Sequence, residues 1–229
     1  MLFRSMNYYQ KKLRNAHAKT DIFRDRVKYS AKVKEQIAGA RKQGREVLLN
    51  LEKQLGDIGD LESGVVIDLF LSYRAVKAWS EMVSLVQKMS PALANTVLVQ
   101  EQLALALNRD GKAEEAERVL LDLIKKRGPG SETYGILGRV YKDRWEAAYK
   151  SGDELLATGL LDQSIEAYMH GFEADWRDAY PGVNAVTLME IKEPPDPRRT
   201  RLIPIVEYAV DRRIAQVKTA RGAKTRRYG

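Results

Sequence analysis

A helical repeat with a period of about 34 residues constrains the fold of this chain more than any other feature of its sequence. The small residue Ala116 marks one helical segment, and the segment one period earlier is centred on Met82. The next matching segment is centred on Ser164, which lies one period plus an insertion beyond Ala116. The insertion is about 14 residues long, which is close to four helical turns. It therefore keeps the repeat in register if it lengthens both helices of a pair together.

The segments that precede these landmarks repeat at the same interval. Each carries a leucine followed directly by a residue of variable size. An apolar or aromatic residue lies three positions after that second residue. These positions are Leu69-Phe70 with Tyr73, Leu103-Ala104 with Leu107, and Leu137-Gly138 with Tyr141. This period is typical of tetratricopeptide (TPR) repeats, in which each unit is a pair of helices. The alternative is a generic helical bundle whose periodicity arises by chance.

Small residues occur where the two helices of a pair must approach closely. Ala104 and Gly138 lie in first helices, and Ala116 and Ser164 lie opposite them in second helices. A single pair cannot bury its apolar face, so neighbouring pairs stack and leave a concave groove. We therefore predict an all-α fold, a TPR-like α-solenoid of about four helix pairs with one pair elongated and with an N-terminal helical arm.

Composition divides the chain into three predicted parts. These are a basic N-terminal helical segment (residues 1–60), a TPR-like repeat domain (61–214) and a basic flexible tail (215–229). In the first part we expect one helix over residues 21–40 and another after Gly44, since glycine interrupts a helical pattern.

Turns within the repeat domain are predicted from glycine, proline and capping residues. Residues 151–153 (Ser-Gly-Asp) join the two long helices, and Gly128 and Ser131 are expected to cap the end of one helix and the start of the next. In the fourth pair, a proline-rich linker at 193–197 delays the last helix, which we predict over 202–214.

The net charge of +8 is distributed unevenly along the chain. Residues 1–45 hold 13 Lys and Arg against 3 Asp and Glu, and residues 198–229 hold 10 against 2, so the middle carries a net charge of −10. One interpretation is that the basic residues at both ends lie on solvent-exposed helix faces and partly neutralise the acidic middle of the chain. The alternative is that these ends bind a nucleic acid or an anionic surface.

Several classes of function lack their sequence signatures. The chain contains no cysteine, which excludes disulfides, iron–sulfur clusters and thiolate zinc sites. His17 and His170 are its two histidines and lie far apart in the sequence, so we predict no metal site, no cofactor and no catalytic activity. No signal peptide or apolar span is evident, and we therefore expect a cytoplasmic protein.

The repeat register predicts which residues line the concave groove. In a TPR stack these lie on the first helix of each pair, close to the repeated leucine and aromatic positions. They are Leu71 and Arg74 in the first pair; Leu105, Asn108 and Arg109 in the second; Arg139, Lys142 and Asp143 in the third; and Ala185 and Leu188 in the fourth.

The composition of this groove favours an acidic or polar peptide as its partner. The Lys and Asn residues that bind a C-terminal carboxylate in chaperone-binding TPR proteins are absent, because Leu71, Leu105 and Arg139 occupy the relevant positions. The alternative is that the arginines form salt bridges within the stack, for example between Arg139 and Asp143, which are four positions apart on one helix face.

Three stretches of the sequence resemble one family. They are residues 68–74 (DLFLSYR), residues 138–143 (GRVYKD), and residues 171–175 (GFEAD) running into 180–188 (YPGVNAVTL). In their order and spacing they resemble the TRAFs-binding region of apoptosis signal-regulating kinases and its bacterial relatives. The elongated third pair also fits the pattern of that family.

The resemblance implies a regulatory protein-interaction scaffold. In the kinases, this region is a set of TPR-type repeats in the central regulatory segment, which contacts signalling adaptors and helps to control the kinase domain. The present chain lacks the glycine-rich loop and the His-Arg-Asp and Asp-Phe-Gly motifs of a kinase. No adaptor-binding motif can be matched to it, so the expected partner is a protein or peptide of unspecified identity.

Overall fold

A computed structural model describes the backbone of residues 30–225 and the side chains of residues 30–218. All regular secondary structure in this range is helical, which confirms the predicted all-α class. The chain forms two compact units, Met1–Ala94 and Asn95–Gly229, and each is described separately below. The predicted domain boundaries at residues 60 and 214 stay predictions.

The described part of the first unit contains five α-helices and one 3-10 turn. In order, they are α1 (30–43), α2 (Arg45–Gln54), a 3-10 turn (Ile58–Asp60), α3 (Ser63–Ala75), α4 (Trp79–Val86) and α5 (Pro91–Ala94). Gly44 separates α1 from α2, as predicted, and has a φ of 110°, which a residue with a Cβ rarely adopts. The predicted start of the first helix, at residue 21, lies outside the described residues.

Tyr73 is the centre of a buried polar contact in the first unit. Its side chain is fully buried, and its hydroxyl donates a hydrogen bond to the carboxylate of Glu52. Lys88 pairs with the same carboxylate at 2.6 Å. Burial and the neighbouring Glu52 raise the pKa of Tyr73 above its ordinary value. The aromatic position of the repeat is therefore a core position in this unit.

The second unit consists of three successive helix pairs. They are α6 (Val97–Arg109) with α7 (Ala113–Arg127), α8 (Ser131–Ser151) with α9 (Glu154–Ala174), and α10 (Ala179–Ile191) with α11 (Arg199–Thr225). Both α8 and α9 have 21 residues, against 13 in α6 and 15 in α7. The predicted insertion does lengthen both helices of one pair.

The turn between the two long helices is made by Gly152 and Asp153. Gly152 adopts a left-handed conformation with a φ of 78°, and the side chain of Asp153 accepts a hydrogen bond from the backbone N–H of Leu156 at 3.1 Å. These are a glycine at the end of one helix and a capping aspartate at the start of the next. The turn predicted at residues 151–153 is confirmed.

Two predicted helix termini differ from the structure. Helix α8 begins at Ser131 itself, with Gly130 at the capping position, because the Ser131 hydroxyl donates to the carboxylate of Asp178 at 2.8 Å instead of capping its own helix. Helix α11 begins at Arg199 and runs to Thr225, beyond both ends of the predicted 202–214. Pro204 lies in its second turn, where it removes one backbone donor without ending the helix.

The backbones of α8 and α9 approach closely at Gly138. The hydroxyl of Ser164 donates to the carbonyl oxygen of Gly138 at 2.9 Å, and both residues are buried. A Cβ atom on Gly138 would lie 2.7 Å from the ring of Tyr168, which is fully buried. The predicted pairing of small residues between the first and second helices is confirmed for this pair.

Substituting Gly138 with alanine should destabilise the second unit. The added methyl group overlaps the Tyr168 ring, and overpacking of this kind costs about 1–3 kcal/mol. The higher helix propensity of alanine returns at most about 1 kcal/mol. Gly159→Ala in α9 is the matched control, since a Cβ there meets nothing within 4 Å. Urea unfolding should show a loss for Gly138→Ala and a small gain for Gly159→Ala; equal effects would contradict the close approach.

Glu101 of α6 is a buried carboxyl group in the second unit. The hydroxyl of Thr133 in α8 donates to it at 2.6 Å. Burial raises the pKa of Glu101, and the Thr133 hydrogen bond offsets only part of that effect, so the pKa lies above its ordinary value. The ionised form is thus disfavoured in the folded protein relative to the unfolded chain.

The raised pKa of Glu101 predicts a specific pH dependence. A group with a higher pKa in the folded state stabilises the protein most below its unfolded pKa, and this contribution is lost as pH rises through the folded value. Glu101→Gln removes the titration but keeps an oxygen that accepts from Thr133. The free energy of unfolding of the wild type, measured relative to Glu101→Gln, should therefore increase as pH falls from 7 towards 4. A difference that is constant with pH would contradict this account.

Candidate protein-binding face

The first helices of two successive pairs, α6 and α8, meet at a single carboxylate. Asp143 in α8 accepts from the Asn108 amide at 2.7 Å and from Nε of Arg139 at 2.7 Å, and an Arg109 guanidinium nitrogen lies 3.6 Å away. Asn108 and Arg109 come from the last turn of α6, whereas Arg139 lies one turn before Asp143 in α8. We call these four residues the Asp143 cluster.

The Asp143 cluster carries an excess of positive charge. Two guanidinium groups share one carboxylate, which leaves one net positive charge, and the adjacent Lys142 forms no ion pair within residues 30–218. Partial burial would lower the pKa of Arg139, but the charge and hydrogen bond of Asp143 outweigh it, so its pKa is raised. Both guanidinium groups keep donor groups beyond those that contact Asp143.

The ion pairs of the cluster are partly open to solvent. The side chains of Arg109, Arg139 and Asp143 retain 37%, 32% and 25% of their exposure. Partly exposed pairs of this kind contribute about 0–1 kcal/mol to stability. The salt bridge between Arg139 and Asp143 that the sequence offered as an alternative is therefore present, but it leaves the arginine side chains accessible to a partner.

The structure separates the ten predicted groove residues into groups. It brings together Asn108, Arg109, Arg139 and Asp143, with Lys142 next to them and the half-buried Leu105 one turn before Arg109. In the first unit, Leu71 of α3 is half-buried and Arg74 is exposed on the same helix. Although Arg74 is exposed, it is not without interaction partners.

Ala185 and Leu188 are core residues. Both are fully buried on α10 and belong to one hydrophobic cluster with Ile165 and Tyr168 of α9. Their side chains do not face solvent and cannot line a groove, which corrects this part of the sequence-based assignment. The register identifies the helix and the turn, but α10 is almost uniformly apolar, so its sequence does not show which positions the neighbouring helix covers.

Sequence reasoning missed a group of aromatic side chains at the other end of the second unit. Trp176, Tyr180 and Tyr208 are each about half exposed or more and lie in the α9–α10 connection, at the start of α10 and in α11. Tyr180 packs edge-on against the buried Tyr168, with ring centroids 6.1 Å apart. The signal that could have found them is the presence of large aromatic residues in a connection between helices, where polar residues are typical.

The described residues form neither a membrane-spanning helix nor a cluster of metal ligands. In the range that the structure covers, no helix is long and apolar enough to cross a membrane. Nor do its His, Asp and Glu side chains there form a group of three or more that could hold a metal ion.

Comparison with known proteins identifies sequence relatives over most of the chain. The sequence model of the family described as the MAP3K TRAFs-binding domain matches residues 3–219. Mitogen-activated protein kinase kinase kinase 15 of Mus musculus is 32% identical over 196 residues, which are 81% of this chain and 13% of the relative. Mitogen-activated protein kinase kinase kinase 6 of Homo sapiens is 27% identical over 176 residues, which are 73% of this chain and 13% of the relative. The chain thus spans about an eighth of the length of these relatives.

Solved structures of MamA share the fold. MamA from Desulfovibrio magneticus RS-1, residue 41 to the end, gives a TM-score of 0.56 at 13% identity over 82% of this chain and 96% of that chain. MamA MSR-1 gives a TM-score of 0.53 at 13% identity over 82% of this chain and 98% of that chain. At such low identity the similarity concerns the fold alone, and it confirms the predicted helical-repeat class.

Removing the charge of Asp143 should cost little stability. Asp143→Asn keeps an oxygen that can accept from a guanidinium, and the pairs it weakens are partly exposed, so the free energy of unfolding should fall by less than about 1 kcal/mol. Thermal and urea unfolding would measure this change. A loss of about 3 kcal/mol or more, as for a broken buried ion pair, would show that the main role of the cluster is to stabilise the fold.

Proposed function

This chain belongs to the MAP3K TRAFs-binding domain family, and we propose that it is a non-catalytic scaffold whose α6–α8 face binds an acidic segment of a protein partner. The observation that carries this proposal is the Asp143 cluster, in which two arginines share one carboxylate beside Lys142. The family and the helical-repeat fold support a role in protein–protein interaction. The kinase relatives carry this region within much longer chains. We therefore extend the proposal to regulation of the bound partner.

The chemistry of this face suits a carboxylate or a phosphorylated side chain. Arginine presents planar N–H donors that bind such groups in a bidentate manner, and these bonds are stronger than those between neutral groups. Arg109 and Arg139 are already oriented by Asp143, so less side-chain freedom is lost when a partner binds. Because the charges are partly exposed, we expect binding that is fast and weakened by salt.

The proposal is tested by affinity capture from the native host with single-charge variants. Lys142→Glu and Arg109→Glu should reduce recovery of the specific partners, because each reverses one positive charge of the face. Asp143→Asn should maintain or increase recovery, because it removes the one negative charge. Each of the two charge reversals, Lys142→Glu and Arg109→Glu, should lower the affinity by about fivefold or more, as expected for a charge pair at the rim of an interface.

Lys125→Glu is the matched control. Lys125 is exposed on the second helix α7, and it undergoes the same charge reversal away from the first-helix face. Recovery of the same partners by Lys142→Glu and by the wild type would overturn the assignment of this face. Recovery of RNA or DNA alone, lost on removal of residues 1–45 and 198–229, would favour the alternative that the basic ends bind a nucleic acid.

A further inference from the structure

A cleft of about 870 Å³ lies at the α11 end of the second unit. Its walls are the first turn of α8, the α9–α10 connection, the start of α10 and one side of α11. The residues that line it include Glu132, Asp175, Trp176, Tyr180, Tyr208 and Arg212. We call it the α11 cleft. It shares no residue with the Asp143 cluster.

The sequence Tyr180-Pro181-Gly182 fixes the walls of the α11 cleft. A Cβ on Gly182 would lie 2.8 Å from the ring of Phe172 in α9 and 2.9 Å from Val206 in α11, so the three helices meet at this glycine. The carboxylate of Asp178 accepts from the Ser131 hydroxyl at 2.8 Å and from the backbone N–H of Tyr180 at 3.2 Å. The cleft is therefore formed in the protein alone, which lowers the cost of binding a ligand in it.

The cleft exposes three large aromatic side chains. Trp176, Tyr180 and Tyr208 retain 54%, 49% and 56% of their exposure, although each could bury much apolar surface. Trp and Tyr are the residues that most often anchor protein–protein contacts, because their rings are rigid and their polar atoms stay hydrated. Three such rings around one concave surface indicate a binding site.

The basic side chains of the cleft include two arginines on one wall. Arg212 and Arg213 on α11 form no ion pair with any residue in the range 30–218. On the opposite wall, Asp175 is bound by Arg177 at 2.8 Å and Asp178 by the contacts given above, whereas Glu132 is exposed. The two guanidinium groups without an ion pair thus lie on one wall, beside the exposed ring of Tyr208 one turn earlier on the same helix.

We propose that the α11 cleft is a second docking site, which binds an extended peptide segment that carries one or two carboxylates beside an aromatic or aliphatic side chain. The apolar side chain packs on Trp176 and Tyr208, and the carboxylate binds Arg212 or Arg213. A nucleic acid fits less well, because the exposed Glu132 on the opposite wall would repel a continuous phosphate backbone, whereas a short peptide can place its carboxylate on the α11 wall alone.

This inference rests on the proposed role as a protein-interaction scaffold, but it concerns different residues. Variants of the cleft and variants of the Asp143 cluster can therefore fail independently. If capture from the host depends on Lys142 and not on the cleft, the proposed function holds and the cleft assignment falls. If capture depends on the cleft alone, the scaffold role holds and the assignment of the α6–α8 face falls.

A random library of displayed peptides of about 12 residues tests the chemistry of the cleft directly. The full chain is used as bait, and the selected sequences should combine Asp or Glu with Trp, Phe or Leu. A synthetic peptide from the selection is then titrated by fluorescence anisotropy. Trp176→Ala, and the double variant Arg212→Glu with Arg213→Glu, should each weaken its binding by about tenfold or more, the effect of removing one anchor residue.

Matched controls separate the cleft from general effects of surface mutation. Tyr149→Ala removes an aromatic side chain that is 72% exposed at the end of α8, and Lys125→Glu reverses an exposed charge on α7. Both variants should bind the selected peptide like the wild type. In addition, the peptide should protect the wild type from acrylamide quenching of tryptophan fluorescence, and it should give no such protection in Trp176→Phe.

Three outcomes would overturn the proposal. In the first, the selection yields no enriched peptide. In the second, the enriched peptides are basic, or they bind the cleft variants as tightly as the wild type. In the third, a single-stranded oligonucleotide binds the cleft more tightly than the selected peptide. Circular dichroism of each variant checks that it is folded, and the quenching experiment reports occupancy of the cleft even where a variant is less stable.

Discussion

At Gly138 the backbone of α8 passes directly beneath the ring of Tyr168, and much of the second unit is arranged around this contact. The missing side chain lets the ring lie flat against the helix, and the Ser164 hydroxyl binds the Gly138 carbonyl oxygen one turn away on α9. Tyr168 then forms a common core with Ile165, Ala185 and Leu188, which joins α10 to the long pair. Because the insertion is close to a whole number of helical turns in length, it lengthens the pair without changing which faces pack.

Close approach of helices at a glycine also occurs at the next helix junction along the chain. Gly171 accommodates Pro181, and Gly182 accommodates Phe172 and Val206, so the start of α10 lies close against α9 and α11. The neighbouring Trp176 and Tyr180 stay about half exposed. The stretch from residue 171 to 188, which contains two of the segments that resemble the family, therefore has two roles. Its small residues build the helix junction, and its aromatic residues provide the exposed surface of the α11 cleft.

The repeat, the elongated pair and the turn at Gly152 could be predicted because each depends on residues close in sequence or on a fixed period.

The prediction of the groove residues was correct for some positions and wrong for others. Arg139 and Asp143 share one helix, so their pairing follows from spacing, whereas the contribution of Asn108 and Arg109 depends on how α6 packs against α8. Ala185 and Leu188 have the right register but lie under neighbouring helices. Ser131 did not cap its own helix because Asp178, 47 residues away, competes for its hydroxyl. Contacts of this range cannot be read from local patterns.

The two proposed binding surfaces differ in how their charges are held, and this difference bears on how each would recognise a partner. In the Asp143 cluster, one carboxylate already orients two arginines, so a partner adds to an existing network through the donor groups that Asp143 leaves unused. In the α11 cleft, Arg212 and Arg213 have no ion-pair partner among the described residues, and aromatic rings lie beside them. Recognition at the cluster is mainly electrostatic and depends on ionic strength. Recognition at the cleft buries apolar surface as well, and therefore discriminates between partners by shape in addition to charge.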